Sequence, residues 1–365
     1  MARYLLVLGR DIELSKLELF SYLGSHNIDY KILESEDNCL AIDSKSLNTS
    51  KTIADLGGLV KIAIFCENLD SVELYQGKSE KLDYTISNYG QPNPNIVYSL
   101  KLYLKKRFKD EGLKAIIRNP HNPSEDAVSP TRISRSSMLE LIVFHKGVYI
   151  TQSVSDPREI KSRDINRPAQ RPLHVISIRL AKILINLSGA KPGNILLDPF
   201  CGIGTILQEA LLKNINAIGI DLSNDCIMAS RKNLNWLREN YRFNAKDKLI
   251  CGDAAKLSSL VKEQIDVAVT EPYLGPFLTK KPHSVTALKI VTELRPMYKA
   301  VMRELRAVVK KKVIIIVPRF DTVDGKKINL NFIEFTQGFK VTQEPILYQA
   351  QKSTITREIW ILEKI

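Results

Sequence analysis

Apolar positions along this chain recur at two periods, near 2 and near 3.6, and each change of period marks a new element. Residues 3–9 are almost continuously apolar and predict a buried strand. LSKLELFSYLG predicts a helix, with Ser15 and Glu18 as a capping box, Leu14 stapled onto Leu19 and Gly24 as the stop. Strand-like runs at 30–33 and 40–43, a short helix in TIADLGG and a strand at 60–65 complete a β-α-β-β-α-β order, the ferredoxin-like arrangement.

The pattern changes character over about residues 74–156. Leu100, Leu104 and Phe108 form one apolar stripe of a helix, and Lys101, Lys105 and Lys109 run beside it at the same spacing, with Lys106 further round. A strand at 114–118 follows. Ser129 and Pro130 then open a second helix that adds Arg132 and Arg135, and two strands are joined by a turn at Lys146 and Gly147. Residues 156–172 hold charge and proline with few apolar positions, which predicts a linker. Beyond it, strands and helices alternate. A helix carries Ile178, Ala181, Ile183, Leu184 and Leu187 and stops at Gly189. Strands then end at Asp198, Asp221, Asp253 and Glu271, with helices between them. A helix at 294–309, the strand KKVIIIVP and two last strands near 340–348 and 356–362 complete a doubly wound parallel sheet with a terminal hairpin.

Composition bounds the class. With 365 residues, two or three domains are expected, and 44% apolar with 25% charged residues is a globular balance. Five scattered cysteines give neither a disulfide framework nor a metal site, which suits the reducing cytoplasm, and no apolar run approaches a membrane span. A net charge of +13 favours a polyanionic partner, and the basic helix and loop at 101–135 point to nucleic acid.

The candidate chemistry centres on residues 194–205, NILLDPFCGIGT, a strand, a glycine turn and the start of a helix. That is how an open α/β sheet presents its carboxyl edge to a nucleoside. Leu207 stands where the third glycine of a dinucleotide fingerprint would fall, which argues against a pyrophosphate ligand. Asp221 lies about 20 residues beyond Gly202, the spacing of an acid that accepts from ribose hydroxyls, and Asp253 is placed to accept from an adenine amine. A nucleoside ligand with little phosphate implies S-adenosylmethionine.

DPFCGIGT and TEPYLGP resemble the amino-methyltransferases, whose fourth motif is usually D/N-P-P-Y. The longer run RDINRPAQRPLHVISIRLAKILINLSGAKPGNILLDPFCGIGT is similar to the THUMP-containing tRNA guanosine-10 N2-methyltransferases of archaeal type. That resemblance implies a ferredoxin-like domain at 1–70, an RNA-binding THUMP domain at 71–156, a linker at 157–174 and a Rossmann-like methyltransferase domain at 175–365. It implies cofactor contacts from Asp198, Phe200, Gly202, Gly204, Thr205, Asp221, Asp253 and Ala254, and catalytic roles for Glu271, Pro272 and Tyr273. Lys101, Lys105, Lys106, Lys109, Arg132 and Arg135 are the expected RNA contacts, tRNA the substrate, and a small zinc-binding activator subunit a further expected partner. The fourth motif departs from the family: Glu271 replaces Asp, Tyr273 the second Pro and Leu274 the aromatic. Either Tyr273 supplies the stacking ring in a shifted backbone, or the guanine is held without one. The alternatives are methylation of another exocyclic amine, in rRNA or DNA adenine, and RNA binding without catalysis.

Overall fold

The computed structural model describes residues 2–77, 79–91, 93–120, 127–136, 138–170, 176–350 and 353–365; the side chains of 135 and 136 lie outside the described set. The chain forms two compact units, Met1–Ser162 and Arg163–Ile365.

The first unit runs β1 (Ala2–Leu8), α1 (Ile12–Ser25), β2 (Tyr30–Glu36), β3 (Cys39–Ser44), α2 (Thr49–Asp55), β4 (Leu59–Phe65), β5 (Lys81–Tyr89), α3 (Pro94–Asp110), β6 (Lys114–Ile117), α4 (Pro130–Ser136), β7 (Leu139–Phe144) and β8 (Gly147–Val154). Its strands make one eight-stranded sheet in the order β2-β3-β1-β4-β8-β7-β5-β6. The stretches expected as separate domains, 1–70 and 71–156, therefore share a sheet, joined where β4 pairs antiparallel with β8. Ile62 and Ile64, two apart on β4, face the same side. Ile62 packs into the cluster of α1 and α2, and Ile64 against the cluster holding Leu100, Leu104 and Phe108 of α3. On the other side, the fully buried Lys61 donates from Nζ to Glu140 Oε1 at 2.6 Å, linking β4 to β7.

The expected capping box does not form. Helix α1 begins three residues earlier, at Ile12, and the Ser15 hydroxyl donates back to the Asp11 carbonyl at 2.8 Å. Glu18 is buried and accepts from the backbone N–H groups of Gly57 and Gly58 at 2.7 and 2.6 Å. Its carboxylate satisfies a loop that is distant in sequence, and burial makes that demand stronger than a local cap.

The stretch expected as a linker is largely helical: α5 spans Pro157–Asn166. From Arg163 onward it belongs to the second unit, where the Arg163 guanidinium meets the Glu209 carboxylate at 3.2 Å and both side chains are buried. Four residues on, Arg167 donates to Thr205 Oγ1 at 2.9 Å. A charged segment poor in apolar residues thus packs through paired cations.

The second unit continues with α6 (Ile178–Ser188), β9 (Ile195–Asp198), α7 (Thr205–Leu212), β10 (Asn216–Asp221), α8 (Asn224–Asn240), β11 (Asp247–Cys251), α9 (Leu257–Leu260), β12 (Ile265–Thr270), α10 (Ser284–Val308), β13 (Val309–Asp321), β14 (Lys327–Asn329), β15 (Phe339–Val341), β16 (Ile346–Tyr348) and β17 (Ile355–Lys364). The sheet order is β11-β10-β9-β12-β13-β17-β15, with β9 to β13 parallel and β17 antiparallel to β13. It is a Rossmann-like α/β fold. Two details differ from expectation. Helix α10 starts ten residues before Leu294 and runs through Pro296, because Ala287, Ile290, Val291, Leu294, Tyr298 and Val301 keep one buried face on both sides of the proline. The run expected at 340–348 is two short strands, β15 and β16, each paired with β17.

Candidate active site

The carboxyl edge of the second sheet gathers most of the expected residues. Asp198 ends β9 and is only 2% exposed; its Oδ1 accepts from the Thr270 hydroxyl at 2.7 Å and the Phe200 N–H at 3.1 Å. Burial pushes this carboxyl up to about 7, against those two hydrogen bonds, with the nearby charges of Asp221 and Glu271 adding to the rise. Asp198 thus braces the loop from behind. Gly204 caps α7 at φ +85, and a β-carbon there would fall 2.5 Å from Ser230 Oγ, so glycine is required on both counts.

In front of this loop lies a cavity of about 570 Å³. Phe200, Gly202, Asp221, Asp253 and Ala254 line it from β9, β10, β11 and the turns that follow. Asp221 Oδ2 accepts from the Gly202 N–H and Oδ1 from the Ser223 N–H, each at 2.9 Å, so the carboxylate is fixed at the cavity edge. Asp253 Oδ1 accepts from the Ala255 N–H at 2.9 Å. Asp198, Gly204 and Thr205 do not line the cavity among the described residues; they support the residues that do.

The opposite wall comes from the loop after β12 with Glu271, Pro272, Tyr273 and Leu274, from Met297 and Val301 of α10, and from Arg357 of β17. Tyr273 is 53% exposed, whereas Leu274 is buried. The Tyr298 hydroxyl lies between the carbonyls of Tyr273 (3.4 Å) and Ile316 (3.3 Å), and complete burial raises its pKa far enough to keep it a neutral donor. Arg357 donates from Nε to Glu271 Oε1 at 2.5 Å, and the two side chains are 12% and 10% exposed. Sequence reasoning missed Arg357. Nothing local marked it, because the last strand also carries Glu358, Glu363 and Lys364.

A bound nucleoside fits these residues. The space beside the Gly202 α-carbon is open, since a β-carbon built there meets nothing within 4 Å. Two carboxylates stand ready for hydroxyl and amine donors, and the described lining holds no lysine for a phosphate.

The expected RNA contacts lie in the first unit. Lys101, Lys105, Lys106 and Lys109 are all exposed on α3, while Leu100, Leu104 and Phe108 are buried. Arg132 donates to the Asn119 carbonyl at 2.6 Å. The Arg135 side chain lies outside the described residues, as do residues 171–175 of the arm.

Comparison with known proteins agrees with this geometry. Residues 164–324 match the model of the RMKL-like methyltransferase domain, and residues 69–232 match a DNA methylase model. The tRNA (guanine(10)-N2)-dimethyltransferase of Methanothermobacter thermautotrophicus is 27% identical over 279 residues, 72% of this chain and 75% of the relative. Its namesake from Methanocaldococcus jannaschii is 31% identical over 172 residues, 44% of this chain and 47% of the relative. Among solved structures, TrmN from Thermus thermophilus covers 100% of both chains with a TM-score of 0.55 at 14% identity. SMU.472 complexed with SAH reaches a TM-score of 0.50 at 14% identity, covering 100% of this chain and 99% of that one. Residues 164–324 therefore resemble the RMKL-like methyltransferase domain, and the chain is an S-adenosylmethionine-dependent methyltransferase similar to the archaeal tRNA (guanine(10)-N2)-dimethyltransferases.

Proposed function

We propose that this chain transfers a methyl group to the exocyclic N2 of a guanosine in tRNA, the nucleotide at position 10. The observation that carries the reading is one cavity bringing Glu271, Pro272 and Tyr273 together with Asp221 and Asp253. S-adenosylmethionine supplies an electrophilic methyl group when bound. Asp221 would hold the ribose and Asp253 the adenine, with Phe200, Gly202 and Ala254 beside them.

The N2 amine is a weak nucleophile because its lone pair is delocalised into the purine. Glu271 and the Pro272 carbonyl would accept from its two N–H groups and turn the lone pair toward the methyl, so positioning contributes much of the rate. The target base must leave its stack at a cost of about a few kcal/mol, and the exposed Tyr273 ring offers it a new stacking partner.

In the first unit, the order β2-β3-β1-β4 supports a ferredoxin-like portion. The exposed lysines of α3 support an RNA-binding, THUMP-like portion that captures the tRNA in the cytoplasm. Nuclease digestion of tRNA after reaction, with mass identification of the modified nucleoside, tests the reading: N2-methylguanosine or N2,N2-dimethylguanosine is expected. The match to a DNA methylase model favours one second reading, which N6-methyladenine in DNA and unmodified tRNA would establish. Binding of tRNA without transfer would establish a non-catalytic role. Running the assay with and without a small zinc-binding protein tests the expected activator.

A further inference from the structure

Arg357 makes one described side-chain hydrogen bond, from Nε to Glu271. Its two terminal nitrogens bond to no described residue, although the side chain is only 12% exposed and lines the cavity. They are not sealed from water, and they stand at the cavity wall, where a molecule that enters can accept from them.

A carboxylate and a guanidinium held side by side present acceptors next to donors. Among bases with an exocyclic amine, guanine alone offers two adjacent donors, N2–H and N1–H, followed by an acceptor, O6. Adenine and cytosine place a ring acceptor directly beside the amine, where it would meet a carboxylate oxygen. Resting on the reading that a guanosine amine is the acceptor, we propose that Arg357 is a specificity-determining residue. Its terminal nitrogens donate to guanine O6 while Glu271 accepts from N2–H and N1–H. The Nε–Oε1 bond fixes the spacing between the two readers, and the guanidinium fork suits a carbonyl acceptor better than a point charge would.

The test pairs a protein change with a substrate change. One tRNA carries guanosine at the target, and a second carries 2-aminopurine riboside there, which keeps the 2-amine and lacks O6 and N1–H. The wild type should favour guanosine by at least about 100-fold in kcat/KM, since a site built to bond a polar group rejects the analogue lacking it. Arg357→Gln should lower guanosine transfer by about tenfold or more and change 2-aminopurine transfer by less than about threefold, so the preference shrinks. Retained S-adenosylmethionine binding by calorimetry reports that the variant is folded. Arg357→Lys, which keeps the charge without the fork, is the second variant and should fall between them.

Equal losses on both substrates would overturn the proposal and leave Arg357 as a brace for Glu271. A wild type that methylates both tRNAs equally well would overturn it without any variant. Absence of transfer to any guanosine tRNA by the wild type would instead remove the underlying N2-methylation reading.

Discussion

Thr270 donates to Asp198 across 2.7 Å, tying together the last residues of two neighbouring parallel strands beneath the glycine loop. The Asp198 carboxyl titrates near 7 in the fold, against an ordinary value of 3.8. Between those values the native state keeps a proton that the unfolded chain releases. This residue's contribution to stability therefore falls as pH rises through the window, by up to about 1.4 kcal/mol per pH unit. Asp198→Asn resembles the protonated acid and should remove that slope. Urea melts of both proteins at pH 5, 6 and 7 check it: the wild type should lose stability relative to the variant as pH rises, and parallel profiles would refute the assignment.

Asp221 takes two backbone N–H groups and still faces the cavity. Asp221→Ala should weaken S-adenosylmethionine binding by about 1.5–3 kcal/mol, the range for hydrogen bonds to a charged group. Calorimetry reads this without RNA, and unchanged affinity would move the ribose contact elsewhere.

Tyr273 and Leu274 stand in opposite environments, one exposed at the cavity and one buried. Tyr273→Phe should keep most activity because stacking needs only the ring, whereas Tyr273→Ala should lose about 1–3 kcal/mol of transition-state stabilisation. Leu274→Ala should act mainly through stability, lowering it by about 2–5 kcal/mol as buried leucine truncations do. Steady-state rates alongside thermal melts separate the two. A fully stable Leu274→Ala that transfers nothing, beside a fully active Tyr273→Ala, would exchange their roles.

The lysines of α3 predict salt behaviour. Replacing Lys101 and Lys105 with Gln should weaken binding of many tRNAs about equally and flatten the dependence of log K on log salt by up to about two phosphate contacts. Filter binding over a salt series measures the slope. An unaltered slope would make these side chains solvated surface only.

Much of this was legible in the chain because the strongest signals are local. The stripe Leu100, Leu104, Phe108 and the strand, turn and helix at Asp198–Thr205 each state their geometry within a dozen residues, and the fold follows them. The misread charged residues share one cause, a partner far along the chain. Glu18 looked like a cap for its own helix and instead serves Gly57 and Gly58; Arg163 and Arg167 looked like linker charges and instead meet Glu209 and Thr205. Arg357 lies 86 residues from Glu271, so its place in the cavity had no local signature.

The seam between β4 and β8 also sets a timetable for folding during synthesis. Residue 65 is made about 80 residues before residue 147, a delay of roughly 4–16 s at ribosomal rates of 5–20 residues per second. Through that interval the emerging chain carries an unpaired edge strand rich in Leu, Val and Ile, the kind of surface that recruits other nascent chains. Production of the protein should therefore be sensitive to translation speed and to chaperone supply over residues 66–154, a stretch that lies entirely outside the methyltransferase domain.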